Sequence, residues 1–334
     1  MSDAAPLLQV ERLAKVFSGR AGGLFGRTSN VMAVDDVSFH IRAGDTLALV
    51  GESGCGKSTI LRLLLHLLEP TSGCIRYEGR DLSGLSRREL RSLRRHFQMV
   101  FQDPYSSLSP RERVRDIVAE PLMVHQPELT ARQVDERVIE ALERVGLGAW
   151  HADRYPYQFS GGQRQRIGIA RAIVLKPRLI VADEPVSALD VSVQSQVINL
   201  LSELQEKLGI AMLIVAHDLS VVWHIADRVA VMYLGRIVEI GDRDAVFERP
   251  HHPYTQSLLS AVPRPDPTAR RKRVALKGDV PSPTDIPTGC RFRSRCPIAQ
   301  DVCASVDPGL ARVGEDHEAA CHFARPFPIP DSAL

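Results

Sequence analysis

From Leu8 to about Ile240, short apolar runs alternate with stretches of helical spacing, and the runs close on polar residues. Thr46-Leu47-Ala48-Leu49-Val50 is almost entirely apolar, the pattern of a strand covered on both faces in a parallel sheet. Leu179-Ile180-Val181-Ala182-Asp183 and Met212-Leu213-Ile214-Val215-Ala216 repeat it. Val31-Met32-Ala33-Val34 and Val37-Ser38-Phe39-His40-Ile41 predict two edge strands. Helices are predicted over Gly162 to Leu175 and Val191 to Leu208, so strands and helices alternate as in an α/β doubly wound domain. Gln102 to Gln158 is mostly helical and reads as a smaller α-subdomain, about residues 103–165, inserted into the sheet domain. After Gly241 the prolines at 250, 253, 263, 265, 267, 281, 283 and 287 break the chain into a loop-rich extension. The expected division is therefore residues 1–245 and 246–334. Ser18 to Asn30, rich in Gly and Arg, reads as a loop within the first hairpin, and Arg87 to Arg95 as the polar side of a surface helix.

Composition narrows the function little but excludes some classes. Among 334 residues, 42 Lys and Arg nearly cancel 40 Asp and Glu, which leaves no overall basic field to hold nucleic acid. The one basic run, Arg270 to Arg273, lies among prolines and reads as solvated linker. No uninterrupted apolar stretch reaches the ~18 residues of a membrane span, and the N-terminus lacks the basic start and apolar run of a signal peptide. The expectation is a cytoplasmic protein whose membrane role, if it has one, comes through a partner.

The strongest chemical signal is Gly51-Glu52-Ser53-Gly54-Cys55-Gly56-Lys57-Ser58-Thr59, a complete GxxxxGK[ST] phosphate loop between a predicted strand and a helix. Its glycines let backbone N–H groups turn toward phosphates, Lys57 reaches the β- and γ-phosphates of ATP, and Ser58 ligates Mg²⁺. Cys55 reads first as a small filler in that loop, where backbone dipoles give a reason to expect a lowered thiol pKa. Asp183-Glu184 closes an apolar strand. Asp183 is suited to hold Mg²⁺, and Glu184 to polarise the water that attacks the γ-phosphate.

Phe159-Ser160-Gly161-Gly162-Gln163 then resembles the signature sequence of ABC ATPases, with Phe for the leading Leu. The resemblance implies a RecA-like core with a mixed sheet, an antiparallel β-subdomain, an inserted helical subdomain and a head-to-tail ATPase dimer. In such a dimer Ser160, Gly161, Gly162 and Gln163 contact ATP held by the partner. It further implies that Gln102 is the Q-loop glutamine near Mg²⁺ or the attacking water. Asp190, within Ser187-Ala188-Leu189-Asp190, falls in the D-loop, His217 is the switch histidine, and Phe17 is the candidate that stacks on adenine.

Phe101 to Arg111, Pro250 to Pro263 and Gly278 to Pro297 resemble the dipeptide/oligopeptide/nickel importer ATPases, and the long first-hairpin loop their second, F-type subunit. The implied role is a motor that couples ATP hydrolysis to peptide uptake. The implied partners are a second, different ATPase, two membrane permease subunits and an extracytoplasmic peptide-binding protein, with the chain peripheral on the cytoplasmic face of the inner membrane. Nickel, glutathione or another small solute stays open as cargo, because solute contacts lie on other subunits. A soluble ABC ATPase acting on nucleic acid or ribosomes is the rival from another class.

Four cysteines, Cys290-x5-Cys296-x6-Cys303-x17-Cys321, cluster near the end. Four thiolates suit a [4Fe–4S] cluster or tetrahedral Zn²⁺, and free thiols are the remaining reading. Resemblance to peptide-importer ATPases favours the cluster.

Overall fold

The computed structural model describes residues 5–20, 28–261, 276, 278–279 and 281–326. The core of the first-hairpin loop and the basic run at 270–273 lie outside them. In chain order the first half comprises β1 (Leu8–Arg20), β2 (Thr28–Ile41), β3 (Thr46–Val50), α1 (Lys57–Leu64), β4 (Ser72–Tyr77), β5 (Arg80–Asp81), α2 (Arg87–Leu93), β6 (Phe97–Val100), α3 (Val114–His125) and α4 (Ala131–Arg144). There follow α5 (Gly161–Ile173), β7 (Leu179–Asp183), α6 (Val191–Leu208), β8 (Ala211–Ala216), α7 (Leu219–Ile225), β9 (Arg228–Tyr233) and β10 (Arg236–Asp242). The C-terminal segment adds α8 (Arg243–Glu248), α9 (Pro253–Ala261), α10 (Val302–Ser305), β11 (Ala311–Gly314) and β12 (His317–Ala319).

These elements form two compact units that do not follow chain order. One comprises the chain up to Leu7, Ile41–Thr46 and Glu78–Ala216. Its sheet is parallel, β6 beside β7 and β7 beside β8. Every residue of β8 is buried, as its continuous apolar sequence requires of an inner strand. The helical part is built from α3, α4 and α5 packing on one another, and α5 also packs on β6 and α6. α6 buries Val197, Ile198, Leu200, Leu201 and Leu204, one stripe at helical spacing, and ends at Gly209 with φ 61°.

The other unit holds Leu8–His40, Leu47–Tyr77 and the chain from His217 on. β1 lies between β2 and β4 and pairs antiparallel with β4. β3 pairs parallel with β9, while β10 joins β9, β12 joins β10 and β11 joins β12, all antiparallel, so this sheet is mixed.

Two sequence expectations change here. The two edge strands are one continuous β2, because the polar Asp35-Asp36 step is absorbed by a left-handed residue, Asp36 at φ 52°, and does not end the strand. The segment read as loop-rich contains helices and a hairpin. Pro253 stands first in α9, where a missing N–H costs nothing, and β12 pairs with β10 through Glu239↔Ala319. Among the described residues, no helix is long and apolar enough to cross a membrane.

Candidate functional site

The phosphate loop runs from the buried strand β3 into α1. Gly56 sits at φ 108°, and a Cβ there would lie 2.1 Å from the carbonyl oxygen of Ala33, so only glycine fits this turn. Lys57 is 6% exposed, and its Nζ donates to the carbonyl oxygens of Gly51 (2.7 Å) and Glu52 (2.9 Å), which holds the ammonium against the loop. Ser58 and Thr59 continue into the first turn of α1, and Ser53 and Gly54 form the crest of the loop. A tight backbone turn that admits no Cβ at Gly51 or Gly56, with a buried lysine turned onto it, suits a polyphosphate.

Cys55 is 4% exposed, and its carbonyl accepts from Gly235 N–H at 2.9 Å. Burial pushes its thiol pKa up, against the opposing pull of Lys57. The expected lowering by loop dipoles is thus overturned, and Cys55 is a packed filler. Phe17, on β1, is 38% exposed with the Lys15 ammonium 5.3 Å from its ring centroid. His217, in the same unit, is exposed and precedes Asp218, whose side chain caps α7 by accepting from Ser220 N–H at 2.8 Å.

The other unit gathers the remaining residues. Asp183 ends β7 and Glu184 follows it, with its N–H donated to Val215 O at 2.9 Å. Glu184 adopts φ 45°, a left-handed conformation uncommon for a residue with a Cβ and often found where a side chain is held for function. Gln102 Nε2 donates to a Glu184 carboxylate oxygen at 2.9 Å, although 82 residues separate them. The structure therefore brings together the two residues assigned to the attacking water. Next along the chain, Asp103 has its carboxyl held below the usual range by the N–H of Tyr105 and by Ser106.

Ser160 caps α5 in a reciprocal box, its Oγ accepting from Gln163 N–H (3.3 Å) and Gln163 Oε1 accepting from Ser160 N–H (3.0 Å). A Cβ on Gly162 would meet Val193 Cγ1 at 2.3 Å, so glycine lets the start of α5 approach α6. Asp190, exposed, is the N-cap residue of α6.

The C-terminal cysteines take another course than expected. Cys303 is buried and Cys290, Cys296 and Cys321 are half-buried. Burial pushes Cys290 up to about 11 and raises Cys296 and Cys321 as well.

Sequence reasoning missed a second set of contacts to the phosphate loop. Tyr254 Oη accepts from Glu52 N–H at 2.9 Å, and Arg295 donates to both Glu52 carboxylate oxygens at 2.8 and 3.0 Å. Separations of 202 and 243 residues leave no local pattern to read; the only hint was an unpaired acid inside the loop. It also missed the buried Glu239, whose carboxylate accepts from His251 N–H (2.7 Å), His252 N–H (3.0 Å) and pairs with His317 Nε2 (2.8 Å). His317, on β12, thereby braces the neighbouring strand β10.

Comparison with known proteins places this geometry. Residues 34–187 match the ABC transporter family, and residues 238–303 match the oligopeptide/dipeptide transporter C-terminal region. A probable peptide ABC transporter ATP-binding protein of Sinorhizobium fredii is 53% identical over 98% of this chain and 92% of its own length. The oligopeptide transport ATP-binding protein AppF of Bacillus subtilis is 50% identical over 95% of this chain and 97% of its own. Among solved structures, a part of the transporter complex cbiONQ from Clostridium perfringens superposes with a TM-score of 0.63 at 30% identity, covering 72% of this chain and 90% of that one. A dimeric ATP-binding cassette bound to ADP and phosphate in a post-hydrolysis state gives 0.62 at 28% identity, over 71% of this chain and 98% of that one. These matches describe nucleotide-binding transporter subunits and none describes an iron–sulfur protein. On that finding the iron–sulfur expectation for Cys290, Cys296, Cys303 and Cys321 is corrected, and neither it nor the zinc alternative enters the function.

Proposed function

The chain belongs to the ABC transporter ATPases, in the branch that carries the oligopeptide/dipeptide transporter C-terminal region, and on that premise we propose how it drives peptide import. It is an ATPase, the ATP-binding subunit of a peptide importer, and acts peripherally at a membrane through permease partners. The observation that carries this reading is the end-to-end match to peptide-import ATPases, together with an intact phosphate loop.

In the proposed cycle the loop from Gly51 to Thr59 cradles the phosphates, Lys57 pairs with the β- and γ-phosphates, and Phe17 stacks on adenine. Ser58, Asp183 and Gln102 are the residues that would hold Mg²⁺, which neutralises charge developing on the phosphates. Glu184 accepts the proton of the attacking water. Its left-handed backbone and the Gln102 amide fix the carboxylate, so little reorganisation remains for the chemical step. His217 contacts the γ-phosphate. Ser160, Gly161, Gly162, Gln163 and Asp190 act across a dimer with a second, homologous ATPase, so that ATP binding closes the pair and hydrolysis opens it. Residues 1–245 form the nucleotide-binding domain and 246–334 the importer-specific segment. Two permease subunits at the cytoplasmic face of the inner membrane convert closure into alternating access, and an external binding protein delivers the peptide.

Glu184→Gln is the direct test. Hydrolysis is expected to fall at least ~100-fold, the usual worth of a general base, while ATP binding persists. Unchanged hydrolysis would remove Glu184 from its role. Uptake of a labelled tripeptide should disappear in cells lacking this subunit and return with the wild-type chain alone; undiminished uptake would separate the ATPase from peptide transport.

A further inference from the structure

We propose that Arg295 and Tyr254 of the C-terminal segment are positioning residues for ATP binding, acting through Glu52 of the phosphate loop; this rests on the ATPase reading of that loop. Glu52 is the only acid among the nine residues from Gly51 to Thr59. In a loop whose N–H groups and lysine gather a polyanion, a free carboxylate opposes the ligand. Arg295 answers it with two parallel hydrogen bonds, NH1 to Oε2 at 2.8 Å and NH2 to Oε1 at 3.0 Å. The guanidinium is well protected, its side chain 8% exposed, against 27% for Glu52. Such a pair is little screened by solvent, unlike the exposed ion pairs on this chain's helices.

Tyr254 completes the clamp. It is fully buried, and its Oη takes the Glu52 N–H at 2.9 Å, so side chain and backbone of one loop residue are held by two residues of the same distant segment. Burial and the neighbouring Glu52 carboxylate raise the phenol's pKa, which keeps the hydroxyl protonated and leaves its oxygen a steady acceptor. Behind it Tyr233, Tyr254 and Phe292 pack with ring centroids 4.7 to 5.5 Å apart, and Arg291 donates to Leu234 O and to Asp35. The clamp therefore hangs on a packed aromatic wedge and not on mobile surface side chains. The C-terminal segment thereby sets the charge and the shape of the nucleotide loop.

The test is Mg-ATP binding to the full-length chain by titration calorimetry, with ATPase kinetics beside it. Arg295→Ala is expected to weaken ATP binding about tenfold, the scale of one uncompensated charge beside a polyanion, and to raise KM while kcat moves less than about twofold. Adding Glu52→Gln to that variant should restore binding to near wild type, because the offending charge is gone. A general structural defect would not be rescued by a second substitution of this kind. Unchanged binding in Arg295→Ala, or a weakened variant that Glu52→Gln fails to rescue, overturns the proposal. If Arg295→Ala does not fold, Arg295→Lys and Tyr254→Phe decide: raised KM with near-normal kcat in both supports the clamp, and unchanged KM overturns it. Failure of the wild-type chain to bind Mg-ATP would instead count against the ATPase reading itself.

Discussion

At the scale of single residues, the chain keeps several groups away from their ordinary protonation behaviour. His252 is the clearest. It is buried, it accepts the N–H of Tyr254 at 3.1 Å through Nδ1, and desolvation pushes its pKa down to about 4 despite the pull of Glu239. His251 is lowered as well, first by burial and then by His317. A histidine that stays neutral when folded but takes up a proton when unfolded favours the unfolded state in acid. Stability should therefore be constant above pH ~6.5, fall as the pH drops toward ~4, and level off below it. The full loss from His252 is roughly 3 kcal/mol. Urea unfolding midpoints across that range read it directly. His252→Asn, whose Oδ1 can take the same N–H, should flatten the curve; an unchanged curve would place the titration elsewhere. The thiols illustrate the converse error. A cysteine's place in the sequence suggested thiolate chemistry at Cys55 and at the C-terminal four, whereas burial raises Cys55, Cys290, Cys296 and Cys321.

At the scale of elements, the helices whose ends matter are closed by the same device. Ser86 with Glu89, Thr130 with Gln133 and Ser160 with Gln163 each form a reciprocal capping box at the start of α2, α4 and α5. The one at α5 puts the Ser-Gly-Gly segment in a defined backbone, which its proposed contact with a partner's nucleotide requires. The one at α4 contains none of the proposed catalytic residues. Thr130→Ala is expected to cost about 1 kcal/mol of stability, seen as a lower melting temperature, with ATP turnover unchanged. A loss of turnover there would show that α4 takes part in the reaction cycle. The strands were legible wherever the apolar run was unbroken: β3 and β7 have the predicted bounds, and β8 gains only Ala211. β2 was not, because two consecutive aspartates look like a break until one of them takes a left-handed turn within the strand.

At the scale of the whole molecule, the C-terminal segment does structural work that its prolines concealed. β12 pairs with β10, Glu239 on β10 is fully buried and takes its hydrogen bonds from His251, His252 and His317, and Arg295 and Tyr254 hold the phosphate loop. A chain ending at residue 245 would bare the β10 edge and leave the Glu239 carboxylate buried without partners. Such a truncation is expected to aggregate or to melt more than ~5 °C below the full chain, a drop that takes about 2 kcal/mol in a chain of this size. A truncated protein that melts with the full chain would show that residues 246–334 are dispensable for the fold.

The sequence by itself determined whatever a contiguous stretch can encode. Gly51 to Thr59, Ser160 to Gln163 and Asp183-Glu184 each specify their own backbone, since glycine spacing, caps and apolar runs act over a few residues. They suffice to identify the nucleotide chemistry and the family. Tertiary structure alone decided which side chains, far apart along the chain, share a proton, a charge or a strand edge. Gln102 meets Glu184 across 82 residues, Tyr254 meets Glu52 across 202, and Arg295 meets it across 243. The pKa shifts of Cys55, Cys290, Cys296, Cys321 and His252 belong to this second class. A pKa follows the water and charge around a group, and those are known only once the chain has packed.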